Sequence, residues 1–149
     1  FSLYGERVGA LSVLCESKEE ADRVLSQLKL VIRTNYSNPQ IHGGTVVATV
    51  LNTPALRAQW EEELTEMRVR IKAMRQKLVD GLKAAGVTQD MSFITTQIGM
   101  FSYSGLTKDQ MVRLRSEFGI YGTDTGRMCV AALNSKNIDY VCQAIAKVV

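Results

Sequence analysis

One long amphipathic helix is the feature that most restricts how this chain of 149 residues can fold. Thr53-Pro54 predicts its start, because a threonine hydroxyl can accept from free backbone N–H groups and proline is tolerated in the first helical turn. Apolar side chains then recur at steps of three and four as far as Gly86, the expected stop. They are Leu56, Trp60, Leu64, Met67, Ile71, Met74, Leu78 and Leu82.

A helix over about residues 54–85 would be roughly 48 Å long at about 1.5 Å per residue. That length exceeds the width of a small compact domain, so the helix either forms a coiled coil or connects two lobes. A coiled coil needs a second heptad segment to pair with, and the sequence contains no such segment. The pattern therefore favours a helix that links two lobes.

Before the long helix, the pattern predicts one strand and two helices. The apolar run V-G-A-L-S-V-L-C at 8–15 is typical of a strand covered on both faces. Ser17 and Glu20 form a capping-box pattern, so a helix is expected from Lys18 to about residue 31. The run T-V-V-A-T-V-L at 45–51 fits a helix or a strand by periodicity, and a helix is expected because a cap pattern follows so soon.

After the long helix, predicted strands and helices alternate. Residues 92–97 and 99–105 are expected to be strands, and Thr107 with Gln110 predicts a capped helix through 118. The pattern over residues 120–133 predicts two paired strands joined by a turn at 124–126. A final helix is expected to start at Asn134 or Ser135. This alternation of strands and helices indicates the α/β class.

Composition and charge exclude several classes of protein. The chain is 46% hydrophobic and 22% charged, as in an ordinary globular protein, and no apolar run approaches the roughly 20 residues that span a bilayer. The net charge of +3 is dispersed, with three glutamates at 61–63 among the basic residues, so neither a nucleic-acid partner nor a membrane is expected. Three cysteines without C-x-x-C spacing are typical of reduced core residues in a cytoplasmic protein.

Metal binding and nucleophilic triads are not predicted. The single histidine, His42, lies in a loop without acidic or cysteine neighbours at ligand spacing, so it is expected to pack or form hydrogen bonds. No phosphate-binding glycine loop of the Walker type is present. The sequence therefore predicts no metal site.

Three arginines stand at the ends of predicted elements instead of on helix faces. Arg7 lies at the mouth of the first strand, Arg33 at a helix end and Arg127 after a turn. Guanidinium binds carboxylate or phosphate through two parallel hydrogen bonds, so these residues either pair on the surface or bind an anionic ligand. Seven other arginines lie on predicted helix faces and are expected to be solvated: Arg23, Arg57, Arg68, Arg70, Arg75, Arg113 and Arg115.

Four strings in this order carry a family resemblance: L-Y-G-E-R-V-G-A-L, then I-R-T-N-Y-S-N-P with H-G-G, then Q-I-G-M-F-S-Y-S-G-L-T, then G-R-M-C-V-A-A-L-N. Together they resemble the C-terminal part of the bacterial aspartate and aromatic amino-acid aminotransferases, which are fold-type I enzymes that use pyridoxal 5'-phosphate. The resemblance covers essentially the whole chain. It implies the end of a large cofactor-binding domain over 1–66, the long linking helix, and a small α/β domain over 67–149.

The resemblance gives each of the three arginines a role. It implies that Arg7 binds the cofactor phosphate. It implies that Arg33 reaches across a homodimer interface, with shared active sites, to the distal carboxylate of a dicarboxylic substrate. It implies that Arg127 binds the substrate α-carboxylate.

Further site residues follow from the same resemblance. Phe101 is expected to lie along the substrate pocket, and Ser37 and Asn38 close to the dimeric site. The Schiff-base lysine is expected upstream of Phe1, so no catalytic residue is expected in this segment, and the segment alone is expected to be inactive.

The implied activity is transamination between an amino acid, aspartate or aromatic, and a 2-oxo acid such as 2-oxoglutarate. The complete chain, of which this segment would be the C-terminal part, would be a cytoplasmic enzyme. Two alternatives stay open: an inactive truncated paralogue that serves as a binding or dimerisation module, and an anion-binding protein that uses the arginines without a cofactor. A Schiff-base lysine ahead of Phe1 would separate the enzyme from both.

Overall fold

The computed structural model describes every residue, Phe1–Val149, in two compact units, Phe1–Glu61 and Glu62–Val149. In chain order the helices and strands are α1 (Lys18–Asn35), α2 (His42–Asn52), α3 (Pro54–Ala84), α4 (Phe93–Thr96), β1 (Phe101–Tyr103), α5 (Lys108–Phe118), β2 (Arg127–Cys129) and α6 (Ile138–Val148). None of the six α-helices combines the length and apolarity needed to cross a bilayer. The expected domain boundary between residues 66 and 67 stays a prediction.

The long helix is confirmed as α3, which starts at Pro54 and ends at Ala84. Its C-terminal half supplies the buried side chains Met74, Leu78 and Leu82, at the steps of three and four that the sequence predicted. The C-terminal half of α3 therefore presents one apolar face to the core of the second unit, since residues at this spacing share a side of a helix, whereas Leu56, Leu64 and Met67 in its N-terminal half are exposed.

The first unit contains α1, α2 and the first residues of α3, with little regular structure ahead of α1. α1 is capped as expected, because the Ser17 hydroxyl accepts from the Glu20 N–H. The segment 45–51 is helical within α2, as predicted. Residues 8–15 were predicted to be a strand, and this was wrong: they form no ladder, since no other strand of the chain pairs with them.

The second unit has one hydrophobic core, shared by α3, α5 and α6 and by the segments between them. Its buried side chains include Leu78, Leu114, Val130 and Ile145, each at most 1% exposed. α5 begins with the predicted capping box, in which Thr107 and Gln110 satisfy each other's backbone N–H groups. The core thus forms where the apolar faces of α3, α5 and α6 meet.

The only sheet is the antiparallel pair β1–β2, in which Tyr103 pairs with Arg127 and Phe101 with Cys129. The predicted turn at 124–126 is present, with the Gly126 N–H donating to the Thr123 carbonyl. The predicted partner of β2 was wrong, however. Residues 120–123 form no strand, and β2 pairs with β1, which lies before α5 in the chain.

The segment 92–97 was predicted to be a strand, but residues 93–96 form the short helix α4. Local side-chain hydrogen bonds explain the difference. Asp90 accepts from the Ser92 N–H, and the Thr95 and Thr96 hydroxyls donate to carbonyls three residues earlier. Such bonds stabilise turns at the expense of strand ladders.

Gly126 immediately precedes Arg127 and adopts a positive φ of 85°. A Cβ here would lie 2.8 Å from the Leu106 carbonyl oxygen and 3.2 Å from the Ser104 hydroxyl. We expect Gly126→Ala to lower the free energy of unfolding by about 2–3 kcal/mol, because it combines a left-handed backbone with a steric clash. Urea denaturation of the full protein measures this difference.

Gly119→Ala is the matched control. Gly119 also has a positive φ, 64°, but an added Cβ would meet nothing within 4 Å. This variant carries only the backbone strain and should lose about 1 kcal/mol. Equal losses in the two variants would contradict the steric account of Gly126.

Candidate functional site

Two of the predicted site residues, Ser37 and Asn38, follow the end of α1. Ser37 adopts a left-handed conformation, φ 67°, and its N–H donates to the Ile32 carbonyl at 2.9 Å. Helices commonly end on a left-handed residue, and Pro39 disfavours helical continuation at Asn38. The chain therefore turns sharply here, and Asn38 follows the turn.

Arg7 closes a short 3-10 turn and also has a left-handed backbone, with φ 52° and ψ 39°. Its guanidinium is exposed and donates to the Tyr4 carbonyl at 3.2 Å. The neighbouring carboxylate does not pair with it, because Glu6 Oε2 lies 2.8 Å from His42 Nδ1. Arg7 therefore does not pair with Glu6 on the surface, and N–H donors of its guanidinium remain for an anion.

Arg7 and Asn38 line the same open cavity of about 600 Å³ in the first unit, together with Gly9, Tyr36 and Gln40. The cavity combines one guanidinium with side-chain amides. Such groups donate hydrogen bonds to oxyanions. Two of the predicted site residues thus meet in one place that can take an anionic group.

Arg33 lies in the last turn of α1 and is exposed. No carboxylate of the chain pairs with it. Its position near the carbonyl end of the helix favours a cation, which is a sufficient structural reason for a basic residue there. The geometry leaves the guanidinium accessible.

Arg127 and Phe101 are brought together in the second unit. They occupy diagonal positions of the β1–β2 pair, and the Arg127 Cζ atom lies 5.0 Å from the centroid of the Phe101 ring. This is a cation–π contact, which fixes the guanidinium without using its hydrogen-bond donors. The Arg127 side chain has no carboxylate partner, so the N–H donors of its guanidinium are available to a ligand.

The turn before β2 fixes the backbone of Arg127. Its N–H donates to the Thr123 hydroxyl at 3.1 Å, and its carbonyl accepts from the Thr123 N–H at 3.1 Å. The nearby Arg115 is engaged differently: its Nη2 lies 2.6 Å from Asp124 Oδ1, and this hydrogen bond lowers the pKa of Asp124. Of the two arginines near this turn, Arg115 and Arg127, only Arg127 lacks a carboxylate partner.

Sequence reasoning missed Arg75, which it placed among the solvated helix arginines. The side chain is only 2% exposed, and burial lowers the pKa of its guanidinium. A signal was available in the sequence. Position 75 lies four residues after Ile71 and three before Leu78, so it shares their apolar face of α3.

The comparison with protein families gives one match over nearly the whole chain: residues 1–145 match the model for aminotransferase class I and II. An aspartate aminotransferase of Pseudomonas aeruginosa is 62% identical over 148 residues, and an aromatic-amino-acid aminotransferase of Escherichia coli is 54% identical over 148 residues. Each alignment covers 99% of this chain and 37% of the relative, so the chain spans little more than a third of their length.

Solved structures agree with this match. The crystal structure of an aromatic-amino-acid aminotransferase from Burkholderia pseudomallei, covalently bound to pyridoxal phosphate, superposes with a TM-score of 0.89 at 67% identity, covering 99% of this chain and 37% of that one. The expected fold, the C-terminal part of a fold-type I aminotransferase with its long linking helix, is thereby confirmed. These 149 residues belong to the aminotransferase class I and II family.

Proposed function

We propose that the full protein containing these residues catalyses pyridoxal phosphate-dependent transamination between an amino acid, aspartate or aromatic, and a 2-oxo acid such as 2-oxoglutarate. The observation that carries the proposal is the Arg127 guanidinium, which is exposed, lacks a carboxylate partner and stacks on Phe101. A planar fork held in this way matches the α-carboxylate that every amino-acid and 2-oxo-acid substrate carries.

The residues around Arg7 fit the phosphate of the cofactor. Arg7 supplies a permanent positive charge, and the carboxylate of Glu6 is engaged by His42. Arg7 would hold the phosphate, with Asn38 and Gln40 as further polar groups in the cavity. When bound, pyridoxal phosphate supplies an electron sink for bond breaking at the substrate Cα.

The other residues would bind and orient the substrate. Arg127 would hold the α-carboxylate and so fix the direction of the Cα–H bond, since small displacements at this point slow a reaction strongly. The Phe101 ring would cover the apolar side of the bound substrate and exclude water. Arg33 would bind the distal carboxylate of aspartate or 2-oxoglutarate.

Arg33 gives a prediction about substrate choice. We expect Arg33→Met to lower kcat/KM for aspartate about a hundredfold, because the distal carboxylate loses its cation, and to change kcat/KM for phenylalanine by less than about threefold. Steady-state kinetics with the two donors measures both values. Arg23→Met, which also removes an exposed arginine from α1, is the control and should alter neither. A similar loss for both substrates would contradict the assignment.

We further propose a cytoplasmic homodimer with shared active sites, in which Arg33, Ser37 and Asn38 lie close to the partner's substrate. Their location supports this: all three are exposed, and Ile41 beside them is 81% exposed. Leu30, Val31 and Tyr36 on the same segment are exposed as well, and an exposed apolar patch rimmed by polar residues is typical of an interface. Sedimentation equilibrium of the full protein tests the dimer.

The absorbance spectrum of the full protein with pyridoxal phosphate tests the function itself. A band near the visible edge that shifts on addition of aspartate and of phenylalanine would support transamination. It would also rank the two donors by how readily each converts the cofactor. A protein that shows no such band and no amino-group transfer would instead be a binding or dimerisation module.

A further inference from the structure

A buried arginine without a carboxylate partner lies beneath the strand that carries Phe101. Arg75 is 2% exposed, and it belongs to none of the ion pairs of the chain. Its Nε is buried without a hydrogen-bond partner. A buried charge in such surroundings is unfavourable unless hydrogen bonds compensate, so the acceptors around it must be well placed.

Those acceptors all come from one short segment, residues 94–102. Arg75 Nη1 donates to the Ile94 carbonyl at 3.0 Å and to the Ser102 hydroxyl at 2.9 Å. Its Nη2 donates to the carbonyls of Gly99 and Phe101, both at 2.8 Å. One planar group therefore links α4, the following loop and the first two residues of β1.

The side chains of β1 point to two faces, and Ser102, the β1 side chain to which Arg75 donates, lies on the inner one. Ser102 points inward and is 2% exposed, whereas Phe101 and Tyr103 on either side are exposed. Arg127 lies on the outer face, opposite Tyr103 and diagonal to Phe101. The strand thus separates a buried guanidinium on one side from the ligand-facing guanidinium on the other.

Gln97, which is only partly buried, extends this hydrogen-bond network to Tyr103, the next residue of the strand. Its Oε1 accepts from the Ser102 hydroxyl at 2.6 Å and from the Tyr103 N–H at 2.8 Å, and its Nε2 donates to the Tyr103 carbonyl at 3.0 Å. The Ser102 hydroxyl consequently links Arg75 to Gln97. Side-chain hydrogen bonds from Arg75 and Gln97 therefore reach each of residues 101–103, in addition to their pairing with β2.

We propose that Arg75 is a positioning residue: it holds β1 so that the Phe101 ring stays against Arg127, and it thereby sets the affinity of Arg127 for a substrate carboxylate. The identity of that ligand rests on the proposed function. The positioning itself concerns only contacts within the second unit. Lysine cannot replace Arg75 here, because one ammonium nitrogen cannot reproduce a planar fork that donates to four separate acceptors.

Steady-state kinetics of the full protein tests the inference. We expect Arg75→Lys to raise KM for the amino acid about tenfold while kcat changes by less than about threefold, because ground-state and transition-state binding of the carboxylate weaken together. Leu82→Ala, a buried change further along α3, is the matched control. It should reduce the active fraction, which lowers the apparent kcat and leaves KM unchanged. If Arg75→Lys behaved like this control, the positioning role would be overturned.

A second variant covers the case in which Arg75→Lys fails to fold. Ser102→Ala keeps the buried arginine and removes the hydroxyl that links it to Gln97. We expect this change to raise KM about threefold, since one of several supporting hydrogen bonds is lost. A KM equal to that of the unaltered protein would overturn the inference.

Amide hydrogen exchange separates this inference from the proposed function. In Arg75→Lys, amides of residues 99–103 should exchange about tenfold faster, while amides of α5 should keep their protection. This readout needs no enzyme activity. If the unaltered protein shows no transamination, the proposed function fails, and local acceleration at 99–103 still supports the positioning role. Uniform or unchanged exchange overturns it.

Discussion

Replacing Arg127 with methionine should lower kcat/KM for aspartate and for phenylalanine alike, by about 1,000- to 10,000-fold. Methionine keeps much of the length and apolar area of the side chain but removes the charge and the fork. Truncating one partner of a hydrogen-bonded charge pair removes about 2–5 kcal/mol, and the lost orientation of the substrate adds to this. Because every substrate carries an α-carboxylate, the loss should not depend on the donor. Steady-state kinetics with both donors measures it.

The fold should tolerate this change. Arg127 is exposed, and its side chain contributes one cation–π contact, worth about 0.5–1 kcal/mol at exposed sites. Thermal unfolding of the variant should therefore stay close to that of the parent. Arg115→Met is the control, since it removes the neighbouring arginine that pairs with Asp124 and should leave kcat/KM within about threefold. A loss confined to one class of donor would contradict the assignment of the α-carboxylate to Arg127.

Much of the fold could be predicted because it depends on local sequence. The long helix, the capping box of Thr107 and Gln110 and the turn before Arg127 are each specified by a few adjacent residues. Strand pairing is not local. β2 pairs with β1 across the whole of α5, and no pattern within residues 120–133 indicates that partner. The run at 8–15 likewise has the composition of a strand, but whether it forms one depends on a pairing partner distant in sequence.

The site could be predicted only in part, for the same physical reason. Their positions at the ends of predicted elements singled out Arg7, Arg33 and Arg127, and the resemblance implied a role for each. The structure leaves each of these guanidinium groups without a carboxylate partner. The burial of Arg75 was not predicted, because an arginine on a helix is usually solvated. Its burial depends on carbonyls supplied by residues 94–101, which helical periodicity does not report. A charged residue within an apolar stripe is thus a better guide to a buried network than residue type alone.

Arg7 should determine how firmly the cofactor is held. We expect Arg7→Met to weaken the binding of pyridoxal phosphate about 100- to 1,000-fold, because the phosphate loses its fixed cation, and Arg7→Lys to weaken it about tenfold. Titration of the cofactor-free full protein, followed by absorbance, measures both dissociation constants. At saturating cofactor, kcat should recover to within about threefold, since the proposed role of Arg7 is to hold the phosphate and not to act at the reacting carbon.

Comparing pyridoxal with pyridoxal phosphate distinguishes two effects of replacing Arg7: loss of the contact with the phosphate, and disturbance of the cavity. Arg7 has a left-handed backbone at the end of a short turn, so its replacement could disturb the cavity as well as remove a charge. If the guanidinium acts on the phosphate, the affinity for pyridoxal will be the same in Arg7→Met and in the parent. Equal losses for pyridoxal and pyridoxal phosphate would point to a disturbed cavity. Arg57→Met, which breaks an exposed helical pair with Glu61, should affect neither ligand. The difference between the two ligands therefore measures the phosphate contact alone.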